Sequence, residues 1–317
     1  MLEVKNLSTE FTVGENRIKA VDNISFEIPP QTVVGLVGES GSGKSVTSYS
    51  ILNLLAANGR ITAGKVLWKG EDLCSQPEKK LREIRGPEIG LIFQNPLAAL
   101  NPVFTVGNQL METLRLHQKI DENQAKMQAV ELMRKVSIPD PEQRIKDYPH
   151  QFSMGMCQRI MIALTICANP QLLIADEPTA SLDVTIQAQI IDLLKKIKQE
   201  LQMSMLFISH DLGVIAQICD YILIMYLGKI VEKGHPKDIF YNALHPYTKA
   251  LISSIPVPDP TIKTEYRPLK GDVPSVLNLP KGCRFHPRCP HAMPKCSQEE
   301  PFLKKHKDSE VACFLYE

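Results

Sequence analysis

Alternating apolar and polar positions open the chain and predict antiparallel β-strands over residues 2–7 and 20–28. Residues 32–37 are apolar on both faces, which is typical of a buried parallel strand. A Gly- and Ser-rich loop follows this strand directly and leads into a helical pattern over residues 45–55. Strand, loop and helix in this order predict the start of a βα unit.

Further along the chain, strands and helices alternate. Residues 64–69 predict a strand at a sheet edge, and residues 89–93 predict a strand that ends at Gln94. The pattern between Gln94 and Gln151 is helical, with Asp121 as an N-cap, and predicts a helical insertion. Beyond it we predict helices over 157–168, 183–202 and 212–218, and strands over 172–175, 205–208 and 221–225. This alternation predicts an α/β fold with a mostly parallel sheet.

Composition narrows the class of protein. The chain has 317 residues, is 44% hydrophobic and carries a net charge of +1, so its bulk should fold and nothing favours nucleic-acid binding. The longest apolar runs fall short of the roughly 18–20 residues that span a bilayer, and no targeting segment opens the sequence. We therefore expect a cytoplasmic protein that reaches a membrane only through partners.

The loop at residues 38–45 reads GESGSGKS and fits the phosphate-binding pattern G-x-x-x-x-G-K-[ST]. Its glycines let backbone N–H groups turn toward phosphate oxygens, and the following helix N-terminus adds a positive dipole. Lys44 is predicted to reach the β- and γ-phosphates and Ser45 to bind Mg²⁺; the alternative is a Gly-rich turn with an exposed lysine. The predicted ATP-binding residues of this segment are Gly38, Glu39, Ser40, Gly41, Ser42, Gly43, Lys44, Ser45 and Val46.

The apolar strand at residues 172–175 is followed by two adjacent carboxylates, Asp176 and Glu177, at the strand end where open α/β sheets bind ligands. Neighbouring residues of a strand point to different sides, so the two carboxylates are predicted to have different roles. Asp176 is predicted to hold Mg²⁺, and Glu177 to accept a proton from the attacking water. The alternative is a helix N-cap acid before Pro178.

Together these motifs resemble the ATP-binding cassette (ABC) family over nearly the whole chain. Gln94 in IFQNP matches the family's Q-loop glutamine, and His210 in FISHDL matches its switch histidine. Ser181 and Asp183, in ASLD, match its D-loop. The resemblance implies an α/β P-loop (RecA-like) nucleotide-binding domain with an antiparallel β subdomain and a helical subdomain.

The resemblance also implies an ATPase with a defined set of residues. The implied catalytic residues are Lys44, Gln94, Glu177 and His210, and the implied Mg²⁺ ligands are Ser45, Gln94 and Asp176. Gln94 is also counted among the ATP-binding residues. Phe11, 33 residues before Lys44, matches the family's adenine-stacking aromatic, although a packed strand residue explains it equally well.

The family's signature motif, which completes the ATP site of an opposite cassette, is the weakest match. This chain reads FSMGM over residues 152–156, where the family usually has LSGGQ or LSGGM. Ser153, Gly155 and Met156 are assigned to this motif, while Met154 replaces a glycine where the backbone approaches nucleotide. We therefore expect an asymmetric heterodimer in which one ATP site turns over faster than the other.

Three segments resemble the dipeptide/oligopeptide importer branch of the family: residues 177–189, 245–251 and 282–290. This implies an ATPase that energises uptake of peptides, peripheral on the cytoplasmic face of the cell membrane. The implied partners are a second, different cassette, two membrane-spanning permease subunits and an extracytoplasmic peptide-binding protein, with no nucleic acid. The alternatives are a nickel-type importer and a regulatory ATP-binding cassette with an impaired signature.

The C-terminal part of the chain has an unusual composition, with ten of the 23 prolines between Pro256 and Pro301 and four of the eight cysteines. The spacing of the four cysteines fits neither the close pairs common in zinc sites nor the common ferredoxin patterns, so spacing alone does not identify the metal. By resemblance the set implies a 4Fe-4S cluster, with zinc or no metal as alternatives. We predict a nucleotide-binding domain over 1–255, with a helical subdomain at about 95–160, and an extension over 256–317. The cysteines are Cys283, Cys289, Cys296 and Cys313.

Overall fold

The computed structural model describes residues 1–255 and 271–317. The proline-rich start of the predicted extension, residues 256–270, lies outside the described residues. The strands are β1 (Leu2–Val13), β2 (Asn16–Ile28), β3 (Val33–Val37), β4 (Gly59–Trp68), β5 (Glu71–Asp72), β6 (Ile89–Ile92), β7 (Leu172–Asp176), β8 (Ser204–Ser209), β9 (Tyr221–Tyr226), β10 (Lys229–Gly234), β11 (Lys304–His306) and β12 (Ser309–Val311).

The helices alternate with these strands over much of the chain. They are α1 (Lys44–Ile51), α2 (Glu78–Ile84), α3 (Pro96–Ala99), α4 (Val106–Gln118), α5 (Glu122–Lys135), α6 (Pro141–Arg144), α7 (Met154–Ile166), α8 (Val184–Leu201), α9 (Leu212–Ile218), α10 (Pro236–Asn242) and α11 (Pro246–Ser253). Within the described ranges, no helix combines the length and the apolar character that crossing a membrane requires. Two compact units result, residues 1–75 with 207–317, and residues 76–206.

The first unit contains an antiparallel sheet of order β2-β1-β4-β5. Leu2 and Ile28 face each other across β1 and β2, and both are completely buried, as the alternating pattern predicts. The strand predicted at residues 64–69 exists, but its assignment to a sheet edge is wrong. β4 starts earlier, at Gly59, and lies between β1 and the two-residue strand β5, which is too short to leave a sequence pattern.

A second group of strands in the first unit has the order β11-β12-β10-β9-β3. β3 pairs in parallel with β9, from Val34 opposite Tyr221 to Val37 opposite Ile224, and every residue of β3 is buried. The prediction of a buried parallel strand is therefore confirmed. The other pairs in this group are antiparallel, and β12 joins it by pairing with β10. The C-terminal residues 304–311 thus extend this sheet.

The second unit holds the predicted helical insertion and a parallel pair of strands, β6 and β7. The Asp121 carboxylate accepts a hydrogen bond from the Gln124 N–H, and the Gln124 side chain accepts one from the Asp121 N–H. This capping box fixes the start of α5 where the sequence predicts it. Ala125, Ala129 and Met133 form the completely buried face of the helix.

Candidate ATP site

The phosphate loop lies between the end of β3 and the start of α1, in the first unit. Gly41 and Gly43 have φ values of 77° and 104°, a region that side chains other than glycine rarely adopt. An added Cβ would overlap the Met225 carbonyl oxygen at Gly38 and the Ala20 carbonyl oxygen at Gly43, whereas it would meet nothing within 4 Å at Gly41. Gly38 and Gly43 are thus required by close backbone packing against β9 and β2, whereas Gly41 is not.

Lys44 lies across this loop and is only 5% exposed. Its Nζ donates hydrogen bonds to the carbonyl oxygens of Gly38, at 2.8 Å, and Glu39, at 3.1 Å. The Ser42 hydroxyl is buried and has no hydrogen-bond partner among the described residues. A cradle of glycines, a lysine and an unsatisfied hydroxyl fits the phosphate groups of a nucleotide.

The two predicted carboxylates lie in the second unit and have different surroundings. Asp176 is the last residue of β7 and is completely buried. Glu177 follows it in a left-handed conformation, with φ of 46°, and is half-buried. The Gln94 Nε2 donates a hydrogen bond of 3.0 Å to the Glu177 Oε2. The structure therefore brings Gln94 and Glu177 together, although 83 residues separate them in the chain.

The signature segment begins α7, also in the second unit. The Ser153 Oγ accepts a hydrogen bond of 3.3 Å from the Met156 N–H and caps the helix. An added Cβ at Gly155 would lie 2.8 Å from Cγ2 of Ile186 in α8, so a glycine is needed there for helix packing alone. Met154, at the first position of the helix, is half-buried.

The D-loop residues precede α8. Asp183 caps this helix by accepting hydrogen bonds from the N–H groups of Thr185, at 3.1 Å, and Ile186, at 3.0 Å. Ser181 is exposed two residues earlier. The Asp183 carboxylate therefore has a structural role as the N-cap of α8.

Phe11 and His210 lie in the first unit. The Phe11 ring covers Gly59 on the neighbouring strand, where an added Cβ would be 2.6 Å from the ring, and the ring is half-buried. His210 is exposed between β8 and α9, and Asp211 next to it caps α9 through the Gly213 N–H at 2.8 Å. Their roles toward a nucleotide stay predictions.

Burial raises the pKa values of three of the four C-terminal cysteines, Cys283, Cys289 and Cys313. Burial raises the pKa of the Cys283 thiol to about 11, with further increases from Cys296, Cys313 and Cys289. Burial also raises the pKa of Cys313, assisted by Cys289 and Cys296. Over residues 1–255 and 271–317, no three Cys, His, Asp or Glu side chains lie close enough to hold a metal ion. In the described part of the chain, these thiols therefore do not form a ready-made metal site.

Sequence reasoning gave no role to two residues that contact the phosphate loop. Arg288 forms an ion pair with the Glu39 side chain, and the Tyr247 hydroxyl accepts a hydrogen bond from the Glu39 N–H. Both residues belong to segments, 245–251 and 282–290, that resemble the dipeptide/oligopeptide importer branch. The contacts span 249 and 208 residues of the chain, a separation over which local pattern carries no information.

A strand, a glycine-rich phosphate loop and a helix, together with a strand that ends in a buried aspartate, define a P-loop nucleotide-binding protein. The sequence profile of the family described as "ABC transporter" matches residues 21–180. A second profile, "Oligopeptide/dipeptide transporter, C-terminal region", matches residues 231–296.

Similar proteins agree with these profiles. The oligopeptide transport ATP-binding protein AppD of Bacillus subtilis is 48% identical, over 100% of this chain and 97% of its own length. OppD of Escherichia coli, an oligopeptide transport ATP-binding protein, is 43% identical over 99% of this chain and 93% of its own. Among solved structures, the ATP-binding cassette MJ0796 bound to ADP and Pi has a TM-score of 0.68 and 26% identity, over 74% of this chain and 99% of that one.

This chain belongs to the ABC transporter family and has its nucleotide-binding cassette fold. It is accordingly an ATPase, with Mg²⁺-bound ATP as its substrate. The fold class and the enzyme class predicted from the sequence are confirmed.

Proposed function

We propose that this chain energises the import of dipeptides and oligopeptides by hydrolysing ATP. The observation that carries the proposal is the oligopeptide/dipeptide C-terminal region over residues 231–296, in a chain that matches AppD from end to end. The region therefore supports a peptide importer over other ABC systems.

The reaction assigned to the site is transfer of the γ-phosphoryl group from ATP to water. Residues 38–46 bind the phosphates, with Lys44 on the β- and γ-phosphates. Ser45, Gln94 and Asp176 would hold Mg²⁺, which would neutralise part of the phosphate charge. Glu177 accepts the proton of the attacking water, and His210 contacts the γ-phosphate. The hydrogen bond from Gln94 to Glu177 supports this assignment, because it orients the proposed base.

A substitution at the base tests the mechanism. Glu177→Gln removes the proton acceptor but keeps the shape, so ATP binding should persist while steady turnover falls at least about 100-fold. Glu200→Gln is the matched control. It alters an exposed glutamate of α8 that pairs with Lys135 of α5, and the variant should hydrolyse ATP normally. Preserved turnover in Glu177→Gln would refute the assigned base.

The proposed assembly pairs this chain with a second, different cassette, on two membrane-spanning permeases served by a peptide-binding protein. The chain would then be peripheral, on the inner face of the membrane. Met154 in the signature supports asymmetry, because its side chain stands where the partner's nucleotide would approach backbone. Nucleotide trapping in the assembled transporter should give unequal turnover at the two sites, and equal turnover would contradict the proposed asymmetry.

Substrate class can be tested in cells. Uptake of a labelled dipeptide should be lost when this chain is removed and restored by the wild type but not by Glu177→Gln. Competition with dipeptides and longer peptides should reduce uptake, whereas nickel should not. Competition by nickel alone would favour a metal importer.

We also propose that the four C-terminal cysteines hold a 4Fe-4S cluster, which would staple a segment with little apolar surface. The cysteines that contribute to the raised pKa values of Cys283 and Cys313 all belong to this set, which supports a shared site, and thiolates are the ligands such clusters use. Protein purified without oxygen should be brown and contain iron and sulfide, and Cys289→Ser should lose both. Cys74→Ser, at a half-buried thiol outside this set, should keep the colour. Colourless protein with stoichiometric zinc would refute the cluster.

A further inference from the structure

Two arginines attach the cysteine-bearing segment, residues 282–317, to the rest of the first unit. Arg284 pairs with the Asp22 carboxylate and donates to the Leu227 carbonyl oxygen. Arg288, directly before Cys289, donates to both carboxylate oxygens of Glu39, at 2.7 and 3.2 Å. Of these two attachments, that of Arg288 reaches the phosphate loop.

The Arg288 pair has the features of a rigid contact. The arginine is 7% exposed, and its guanidinium lies 5.9 Å from the centre of the Tyr226 ring. Phe285, three residues earlier, packs against Tyr226 and Tyr247 with ring centres 5.3 and 5.5 Å apart. A bidentate and largely shielded arginine–carboxylate pair fixes both orientation and distance, which an exposed lysine pair does not.

Glu39 is held at several points. Its carboxylate accepts from Arg288, and its backbone N–H donates to the Tyr247 hydroxyl at 2.9 Å. Its own carbonyl oxygen accepts from Lys44 at 3.1 Å. An unbroken set of hydrogen bonds thus leads from the cysteine-bearing segment through Glu39 to the phosphate-binding lysine.

We propose that Arg288 is a positioning residue for ATP: its pair with Glu39 holds the phosphate loop in the conformation that receives the phosphates. The proposal rests on the ATP-binding activity and adds that the cysteine-bearing segment sets ATP affinity. A loop that is already ordered loses less conformational freedom when ATP binds. Without the pair, the loop must be ordered by the ligand, and ATP affinity falls.

The test compares two arginine variants of the full-length protein, with ATP binding measured by calorimetry in magnesium buffer. Arg288→Met should raise the Kd for ATP about tenfold, the size expected for a hydrogen bond to a charged group. Arg284→Met is the matched control, because it removes an ion pair of the same segment whose partners, Asp22 and Leu227, lie outside the phosphate loop, and it should leave the Kd unchanged. The KM for ATP should follow the Kd in Arg288→Met, with kcat nearly unchanged.

Thermal unfolding will show whether Arg288→Met folds normally. If it does not, Glu39→Gln and the double variant test the same ion pair. Glu39→Gln should weaken ATP binding by a similar factor, and Arg288→Met should add little to it in the double variant, since the two act as one pair. Wild-type affinity in a folded Arg288→Met protein, or equal weakening in Arg284→Met, would overturn the proposal. Wild-type protein that binds no ATP would overturn the ATP-binding assignment as well, so the two failures are distinguishable.

Discussion

The phosphate loop and the cysteine-bearing segment obtain their conformations in opposite ways. The conformation of the loop, residues 38–45, follows largely from what immediately adjoins it: a buried strand, glycines with positive φ and a helix start. Distant residues add to this, since Gly38 and Gly43 pack against carbonyl oxygens of β9 and β2. The segment over residues 282–317 contains short turns and two three-residue strands, and distant side chains hold it in place. Phe285, Arg284 and Arg288 contact residues between 38 and 262 positions away.

This difference matters because the two regions meet at Glu39. A locally specified loop can bind phosphate in any protein that contains it. Here the same loop also receives an ion pair from the far end of the chain. Substitutions in either region therefore show how far ATP affinity depends on the loop itself and how far it depends on the cysteine-bearing segment.

The largest effect on ATP binding is expected from a substitution in the phosphate loop itself. Gly43→Ala places a Cβ on the Ala20 carbonyl oxygen at a φ of 104°, and should weaken ATP binding at least about 100-fold, since the backbone must move. Gly41 has a positive φ as well, 77°, but an added Cβ would meet nothing within 4 Å. Gly41→Ala should therefore weaken ATP binding only by the backbone strain, about 1–2 kcal/mol. Calorimetric ATP titration measures both, and equal losses would contradict the steric explanation.

Sequence predicted the local part well. The Gly pattern, Lys44 and the strand end at Asp176 each follow from a short run of residues whose physical role is the same in any context. The interior position of β4 and the existence of β10 and β12 depend on which strand pairs with which, and short strands carry little periodicity. Arg288 is an ordinary basic residue by pattern, and only the folded chain reveals Glu39 beside it.

The largest effect on stability, as distinct from ATP binding, is expected from loosening the segment at its apolar contact. Phe285 is 1% exposed among Tyr226, Tyr247 and His245. Phe285→Ala removes the ring and should lower the free energy of unfolding by about 3–5 kcal/mol. Phe302→Ala, in the same segment but 66% exposed, should change it little.

Urea unfolding followed by tyrosine fluorescence and limited proteolysis measures this difference. Cleavage within residues 282–317 should accelerate in Phe285→Ala alone. If both phenylalanine variants unfold alike, the ring does not anchor the segment, and the contrast with the locally ordered loop is lost.

The smallest effect concerns pH and the same aromatic contact. His245 is buried, with its ring centre 5.6 Å from that of Phe285. Its Nδ1 accepts a hydrogen bond of 3.1 Å from the Tyr247 N–H and therefore carries no proton. Burial lowers the pKa of His245 to about 3, with a further decrease from Lys249. The unfolded chain, with a histidine pKa of about 6.5, therefore binds a proton below that pH that the folded chain does not.

The contribution of His245 is thus fully present above pH 6.5 and is lost as the pH falls toward 3, by about 2 kcal/mol at pH 5. Glu232, whose raised pKa from burial acts in the opposite direction, accepts hydrogen bonds from the Leu244 and His245 N–H groups. His245→Asn keeps Glu232 and an acceptor for the Tyr247 N–H but removes the titrating ring. The variant should therefore lose less stability than the wild type between pH 7 and 5, as urea unfolding will measure. If stability fell equally with pH in both proteins, His245 would not couple pH to this contact. The attachment of the segment would then depend on its ion pairs and on Phe285 alone.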